Sequence, residues 1–265
     1  MEFMDLLTHP YKGAGLAYDL LTEKRLANEK CLERYGYKVY SQNDEDGIIE
    51  EIFNRIGTTN KTFVEFGVQN GLECNSHYLL HRGWNGLWIE GSDECVKDIA
   101  ARFQPVLRGG KLKVCRAFIT RDNIDAIIAT SGIKGQIDLL SIDIDGNDYH
   151  VWQAIKSVQP RVVIIEYNAK FPPTYAWIMP YNERHAWDGS DMQGASLKAY
   201  EILGQEIGYR LVGTNLSGVN AFFVKEELAG DKFIEPATAE ALYNPCRFKT
   251  WQYISGHVPR WCLCE

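Results

Sequence analysis

From residue 62 onward the chain alternates short apolar runs with stretches of helical spacing. The runs are Thr62–Gly67 (TFVEFG), Gly86–Glu90 (GLWIE), Leu112–Arg116 (LKVCR), Ile137–Asp143 (IDLLSID) and Arg161–Tyr167 (RVVIIEY). Short, apolar on both faces and rich in β-branched residues, they predict strands buried on both sides of a sheet. Between them the pattern predicts a helical stretch ending at Gly83, a helix over Asp93–Phe103, one capped by Thr120 (RDNIDAIIAT), and one over Tyr149–Ser157 stopped by Pro160. Strand–helix alternation implies parallel βαβ units with right-handed crossovers, and so an open, doubly wound α/β sheet with helices on either face. After a helix over Ala195–Ile207, the runs Tyr209–Thr214 and Asn220–Val224 are joined by so short a turn that they must pair antiparallel. Ahead of the first strand, Gly15–Tyr35 has the spacing of an amphipathic helix, and a second helix follows Ser41 and ends on Gly57. Beyond Glu226 there is no clear pattern.

No repeat or low-complexity linker divides the chain, so one domain is expected over residues 1–265, with N-terminal helices in 1–57, an α/β core in 62–224 and a C-terminal extension in 226–265. Between Asn168 and Ala195 lies a long aromatic loop. Loops of that length inside a compact fold are functional or disordered, and its tyrosines and tryptophans argue against disorder. The loop leaves the carboxyl edge of the fifth strand, where it is expected to wall an acceptor pocket with Tyr175, Trp177, Tyr181 and Trp187 and to become ordered on ligand binding. Lys170, Arg184 and His185 in it are expected to meet an anionic acceptor.

Charge narrows the partners. A net charge of −7 argues against general nucleic-acid binding, which needs a basic face. No stretch approaches the roughly 20 apolar residues of a membrane span, and the first residues lack the pattern of a signal peptide. Seven scattered cysteines, Cys262 and Cys264 among them, form no zinc spacing and suit reduced thiols, so a cytoplasmic location is expected.

In an open parallel sheet, ligands sit at the carboxyl ends of the strands. The first strand runs into VEFGVQNG, where Gly67 and Gly71 allow a tight turn and close approach of backbone to ligand. Glu65 lies at its tip. The second strand ends in Glu90, suited to accept both hydroxyls of a ribose. A dinucleotide turn of the form G-x-G-x-x-G is excluded, because Gln69 holds the middle position and a carboxylate two residues before the first glycine would repel a pyrophosphate. The same carboxylate suits a cationic amino-acid group.

The turn resembles the first motif of class I S-adenosylmethionine methyltransferases, E/D-x-G-x-x-x-G, and the antiparallel final pair resembles the closing strands of their Rossmann-like, seven-stranded sheet. In order, YSQNDEDGII, VEFGVQNGLECNSHYLL, GWNGLWIEGS and DLLSIDIDGNDYHVWQAI resemble FkbM-type methyltransferases and their relatives from bacterial surface-polysaccharide clusters, over roughly Tyr40 to Tyr167. The resemblance implies contacts to S-adenosylmethionine from Gln42, Glu65, Gly67, Asn75 and Glu90, and adenine contacts near Ala117 and Phe118. Asn75 equally suits a helix cap, and Phe118 equally suits the core.

The fourth strand ends SIDIDGND and the fifth IIEYN. Asp143 and Asp145 share a face, as do Glu166 and Asn168, and both strand tips open on the same edge of the sheet. Carboxylates gathered there repel one another and favour protonation or a bound cation. Hard oxygen ligands suit Mg²⁺ or Mn²⁺, with Asp143, Asp145, Glu166 and Asn168 as candidate ligands. The arrangement is similar to catechol-type O-methyltransferases, though here Tyr167 splits the acid–asparagine pair. The blander reading makes Asp143 a cofactor contact or loop cap and Asp145-Gly146-Asn147 a turn. Asp143 and His185 are the candidate catalytic residues, His185 as acceptor base or metal ligand.

The sequence thus points to an S-adenosylmethionine-dependent, metal-assisted O-methyltransferase. The resemblance adds an acceptor, a sugar hydroxyl or a phosphate or phosphoramidate oxygen of a capsule or cell-surface glycan precursor. A non-catalytic scaffold or assembly protein with the same fold is the alternative. The oligomeric state, a homodimer included, is left open.

Overall fold

The computed structural model describes residues 24–247. Seven strands form a single sheet: β1 (Thr62–Phe66), β2 (Asn85–Glu90), β3 (Leu112–Arg116), β4 (Gly135–Ile142), β5 (Val158–Glu166), β6 (Tyr209–Thr214) and β7 (Asn220–Lys225). They lie in the order β3-β2-β1-β4-β5-β7-β6. The first five are parallel, and β7 runs antiparallel to both β5 and β6. The expected fold class is therefore borne out. β1 and β4 start the two halves of the sheet side by side, so the strand order reverses there, the place where such sheets bind ligands.

Each crossover carries helix: α1 (Glu45–Ile56) precedes β1, α2 (His77–His81) follows it, α3 (Asp93–Arg102) and α4 (Gln104–Arg108) follow β2, α5 (Ile124–Thr130) follows β3, α6 (Asp148–Ala154) follows β4, and α7 (Leu197–Glu206) precedes β6. Two short helices, α8 (Glu226–Ala229) and α9 (Ala239–Leu242), lie in the extension that showed no pattern. Alternate residues of the central strands pack on opposite faces, which gives two apolar clusters. Val64, Leu140, Val163 and Phe223 belong to one, and Phe63, Leu139, Val162 and Phe222 to the other.

Two expected elements are corrected. The described part of the expected helix over Gly15–Tyr35 holds two 3₁₀ turns, Lys24–Ala27 and Leu32–Tyr35; residues 15–23 lie outside the described residues. The Asn28 side chain accepts the Lys30 amide at 2.9 Å, a local bond that competes with helix and ends the first turn. Pro160 does not stop a helix but sits within β5, paired with Ile137 of β4. Pairing with β7 begins only at Val162, so β7 does not require the N–H that proline lacks.

Candidate active site

Three cavities line the carboxyl edge of the sheet. The largest, about 480 Å³, lies between the segment around Lys38–Asn43, the end of β5 and the loop that follows it. A second, about 310 Å³, lies over the ends of β1, β2 and β4. A recess of about 80 Å³ adjoins the Gly67 turn. Gln42 lines all three.

The second cavity collects most of the residues expected to hold a cofactor: Gln42, Gly67, Glu90, Phe118 and Asp143. Gly67 has φ +77°, and a Cβ there would lie 1.5 Å from the Asp143 carbonyl oxygen, so the glycine is what lets the β1 turn pass against the end of β4. Gly71 sits differently: a Cβ would strike the Trp88 ring at 2.5 Å, which makes this glycine a packing requirement beneath the turn. Phe118 is 54% exposed and belongs to the cavity wall, not to the core.

The acids at the ends of β1 and β2 shape the turn itself. Glu65 Oε1 accepts the Asn75 amide (2.8 Å), and Oε2 accepts the Ser76 amide (2.9 Å) and hydroxyl, so its carboxylate caps the start of α2. Burial raises its proton affinity, and those donors oppose the rise. Asn75 turns its Nδ2 to Ser141 Oγ at 3.0 Å; Glu65 and Asn75 both line the small recess, not the second cavity. Glu90 accepts the Gln69 amide on Oε2 and the Ser92 amide on Oε1, each at 2.8 Å. Each oxygen keeps a lone pair for a diol. Gln69 is held at φ +50°, a conformation that costs free energy unless its surroundings fix it, and the Glu90 bond does so.

Beyond β4 and β5 the structure brings Asp143, Asp145 and Glu166 together, with one carboxylate oxygen from each within 4.8 Å of the others. Asp145 and Glu166 line both the 310 Å³ and the 480 Å³ cavities, so the cluster stands where the two meet. None of the three side chains accepts a hydrogen bond from the described residues. Burial pushes Asp143 well above the usual carboxylate range, and the neighbouring charges of Asp148, Asp145 and Glu65 add to it. Glu166 is raised in the same way, by burial and then by Asp143. Asp145 is raised by burial, with His185 pulling the other way.

The loop carrying Asp145 is held by Asp148, which the sequence analysis did not single out. Its Oδ1 accepts the Ile144 amide and its Oδ2 the Gly146 amide, both at 2.8 Å. These bonds hold Asp145 at φ +52°. Asp145-Gly146-Asn147 is thus a turn as well as a source of a carboxylate. Only the i, i+2 spacing of an Asx-type turn in SIDIDGND signalled the role of Asp148.

Asn168 is not part of the cluster. Its Nδ2 donates to the carbonyls of Asp191 (2.9 Å) and Gln193 (3.2 Å), and its Oδ1 accepts the Lys170 amide. The asparagine serves to fold the long loop back on itself, although it also lines the largest cavity. His185 lines the second cavity, not the largest, and its Nε2 lies 3.1 Å from the Asp145 carbonyl oxygen. The ring rests on Gly146, where a Cβ would come within 2.2 Å of it. Asn147 and Asn182 bond reciprocally across the same junction, at 2.8 and 3.2 Å.

Of the loop residues expected at the acceptor, Lys170 and Trp187 line the largest cavity, and Arg184 lines neither of the two larger ones. Trp187, 54% exposed, presents its ring there. Tyr175 and Trp177 instead stack on Phe171, and Tyr181 receives the Arg121 guanidinium on its face at 3.9 Å. Both lysines of this cavity are paired, Lys38 with Glu73 at 2.8 Å and Lys170 with Asp191, so neither is an uncompensated charge.

Residues 105–197, from α4 through the acid-bearing ends of β4 and β5 to the start of α7, match the model of the methyltransferase FkbM domain. Glu65, Gly67 and Glu90 lie outside that stretch. No curated protein matches the chain. Among solved structures, a putative caffeoyl-CoA O-methyltransferase from Staphylococcus aureus is 12% identical, over 81% of this chain and 99% of that one, with a TM-score of 0.48. A putative RNA methyltransferase from Pyrococcus horikoshii is 13% identical over 83% and 98%, TM-score 0.42. The N-terminal domain of EvdMO1 with SAH bound is 14% identical over 73% and 92%, TM-score 0.41. The domain match bears out the expectation of an S-adenosylmethionine-dependent methyltransferase. Among the described residues, no helix is long and apolar enough to cross a membrane.

Proposed function

We propose that this methyltransferase moves the methyl group to an oxygen, with a divalent cation at Asp143, Asp145 and Glu166, and that its acceptor is a sugar hydroxyl or a phosphate or phosphoramidate oxygen of a capsule or cell-surface glycan precursor. The observation that carries the reading is the meeting of two cavities at Asp145 and Glu166. A cavity of about 310 Å³ falls in the size range of small-molecule and cofactor sites. Bound S-adenosylmethionine supplies a methyl group on a sulfonium, open to in-line displacement.

Each residue then has a task. Glu90 accepts from the ribose hydroxyls, and the exposed face of Phe118 covers the adenine. Gly67 keeps the turn flush against the end of β4, leaving room for the ligand chain. Gln42, at the junction of the cavities, and Trp187 orient the acceptor, whose alignment with the methyl group is the larger part of catalysis. The cluster fits Mg²⁺ or Mn²⁺ in its chemistry: three hard carboxylates, mutually close, with no protein donor to satisfy them. Such a cation would supply Lewis acidity toward the acceptor oxygen. His185, at the cofactor cavity with Nε2 beside the Asp145 carbonyl, braces the Asp145 turn and is poorly sited to be the acceptor's base.

A thermal-shift comparison of S-adenosylmethionine, S-adenosylhomocysteine and NAD tests the cofactor, with stabilisation expected from the first two alone. Methylation of glycan precursors before and after exhaustive chelation, with elemental analysis, tests the metal. Turnover that survives chelation in a protein free of metal removes the cation from the reading.

A further inference from the structure

The 80 Å³ recess is lined by Gln42, Glu65, Gln69, Asn75, Asp143 and Asn220, among others. Asn220 opens β7 and is only 4% exposed. Its Nδ2 donates to Glu45 Oε1 at 2.9 Å. Glu45, wholly buried, is fixed from its other sides by Asn215 Nδ2 at 2.7 Å and the Asn43 amide at 2.8 Å. A carboxylate only accepts, so Glu45 dictates which way the Asn220 amide is turned: the NH₂ toward Glu45, and Oδ1 away from it. That Oδ1 is buried and has no hydrogen-bond partner among the described residues. Buried acceptors left without a donor are rare in native folds and call for an explanation.

The neighbours of this oxygen are acceptors too. Asp143 accepts nothing from the described residues, and Glu65 Oε1 accepts only the Asn75 amide. The recess is therefore a small cup of open acceptors that include two carboxylates. The ligand that matches it is a compact cation with several N–H groups, a primary ammonium. The recess shares Gln42, Gly67, Gln69 and Asp143 with the 310 Å³ cavity, so a ligand in one runs into the other.

We propose that Asn220 Oδ1, with Asp143 and Glu65, receives the α-ammonium of the cofactor's amino-acid end, and that Glu45 is the residue that positions the Asn220 amide for it. This rests on the S-adenosylmethionine reading of the adjoining cavity. It gives β7, the strand added antiparallel to the sheet, a direct part in cofactor selection.

Calorimetry tests it with two ligands and two proteins: S-adenosylhomocysteine and its analogue lacking the α-amino group, each titrated into wild type and Asn220→Ala. Loss of a hydrogen bond to a charged group corresponds to about tenfold or more in affinity. Wild type is expected to bind the deaminated analogue at least about tenfold more weakly, and Asn220→Ala is expected to narrow that gap markedly. Wild type indifferent to the amino group overturns the proposal, as does an Asn220→Ala variant that weakens both ligands by the same factor. Wild type that binds neither ligand refutes the cofactor reading itself. Should circular dichroism show Asn220→Ala unfolded, Asn220→Ser carries the same comparison.

Discussion

The acids on β4 and β5 stand in opposite conditions at the two ends of those strands. Toward the amino end, Asp138 is wholly buried, but it accepts Arg161 Nη1 at 2.7 Å, the Thr59 hydroxyl, and the amides of Thr59, Asn60 and Lys61. Burial alone would raise it; Arg161 and those donors outweigh burial and hold Asp138 below the usual carboxylate range. Arg161 meanwhile caps the carbonyls of Ile56 and Gly57 at the end of α1. Toward the carboxyl end, Asp143 and Glu166 are also removed from water, yet nothing donates to them and both are pushed up. The chain supplied one acid with every partner it needs and left the others with none. A buried charge surrounded by donors secures the fold, whereas buried charges without donors are organised for something that arrives later.

The largest expected effect tests that contrast directly. Asp138→Ala leaves Arg161 buried without its anion and should cost about 3–5 kcal/mol in urea unfolding, the range seen when one partner of a buried pair is removed. Asp143→Asn in the ligand-free protein should cost little or even stabilise, since it relieves like-charge repulsion, while abolishing turnover. Equal destabilisation by both changes would erase the distinction between the two ends.

Next in size is the cofactor cavity. Glu90→Ala should weaken S-adenosylhomocysteine binding by roughly 1–3 kcal/mol, the cost of leaving buried hydroxyls unpaired. An unchanged affinity by calorimetry would remove Glu90 from the ribose.

The pH dependence of stability should differ in sign between the ends. Asp138 is depressed in the folded state, so its contribution is present above the unfolded-state value and is lost as pH falls below it toward the folded-state value. Asp143 and Glu166 are raised, so the folded protein holds extra protons above the ordinary carboxylate range and loses stability as pH climbs through that window. Unfolding midpoints across a pH series should therefore fall on the alkaline side in the ligand-free protein, and Asp143→Asn should flatten that limb. A limb unchanged in the variant would mean that these acids are not the groups titrating.

Arg184→Ala should do least. Arg184 lines neither of the two larger cavities, so turnover should stay near wild type, whereas His185→Ala should weaken S-adenosylhomocysteine binding measurably. A large loss of turnover in Arg184→Ala with cofactor binding intact would show that the loop moves in solution to bring this residue to the acceptor.

The sequence by itself determined the order and kind of the main elements, because strand and helix periodicity depend on near neighbours. It also located Gly67, Glu90 and the acids at the ends of β4 and β5, since a turn after a strand and an acid at its tip are local features whose position follows from the topology of a parallel sheet. What it missed were arrangements made by residues far apart along the chain. Pro160 reads locally as a helix stop, yet it lies in β5, beside β4 and short of the β7 pairing. His185 and Arg184 are adjacent in sequence, and only the fold sets one against the cofactor cavity and leaves the other off it. Asn168 sits two residues from Glu166 on the same face, but the returning loop claims its amide. Asp143 and Asp138 are the same residue type on neighbouring turns of chain, and only Arg161 and the Thr59–Lys61 turn make them opposites. Asn220 and Glu45 are 175 residues apart. A periodic pattern tells which side of an element a residue occupies; whether a buried polar atom finds a donor is decided by whatever the tertiary structure brings against it.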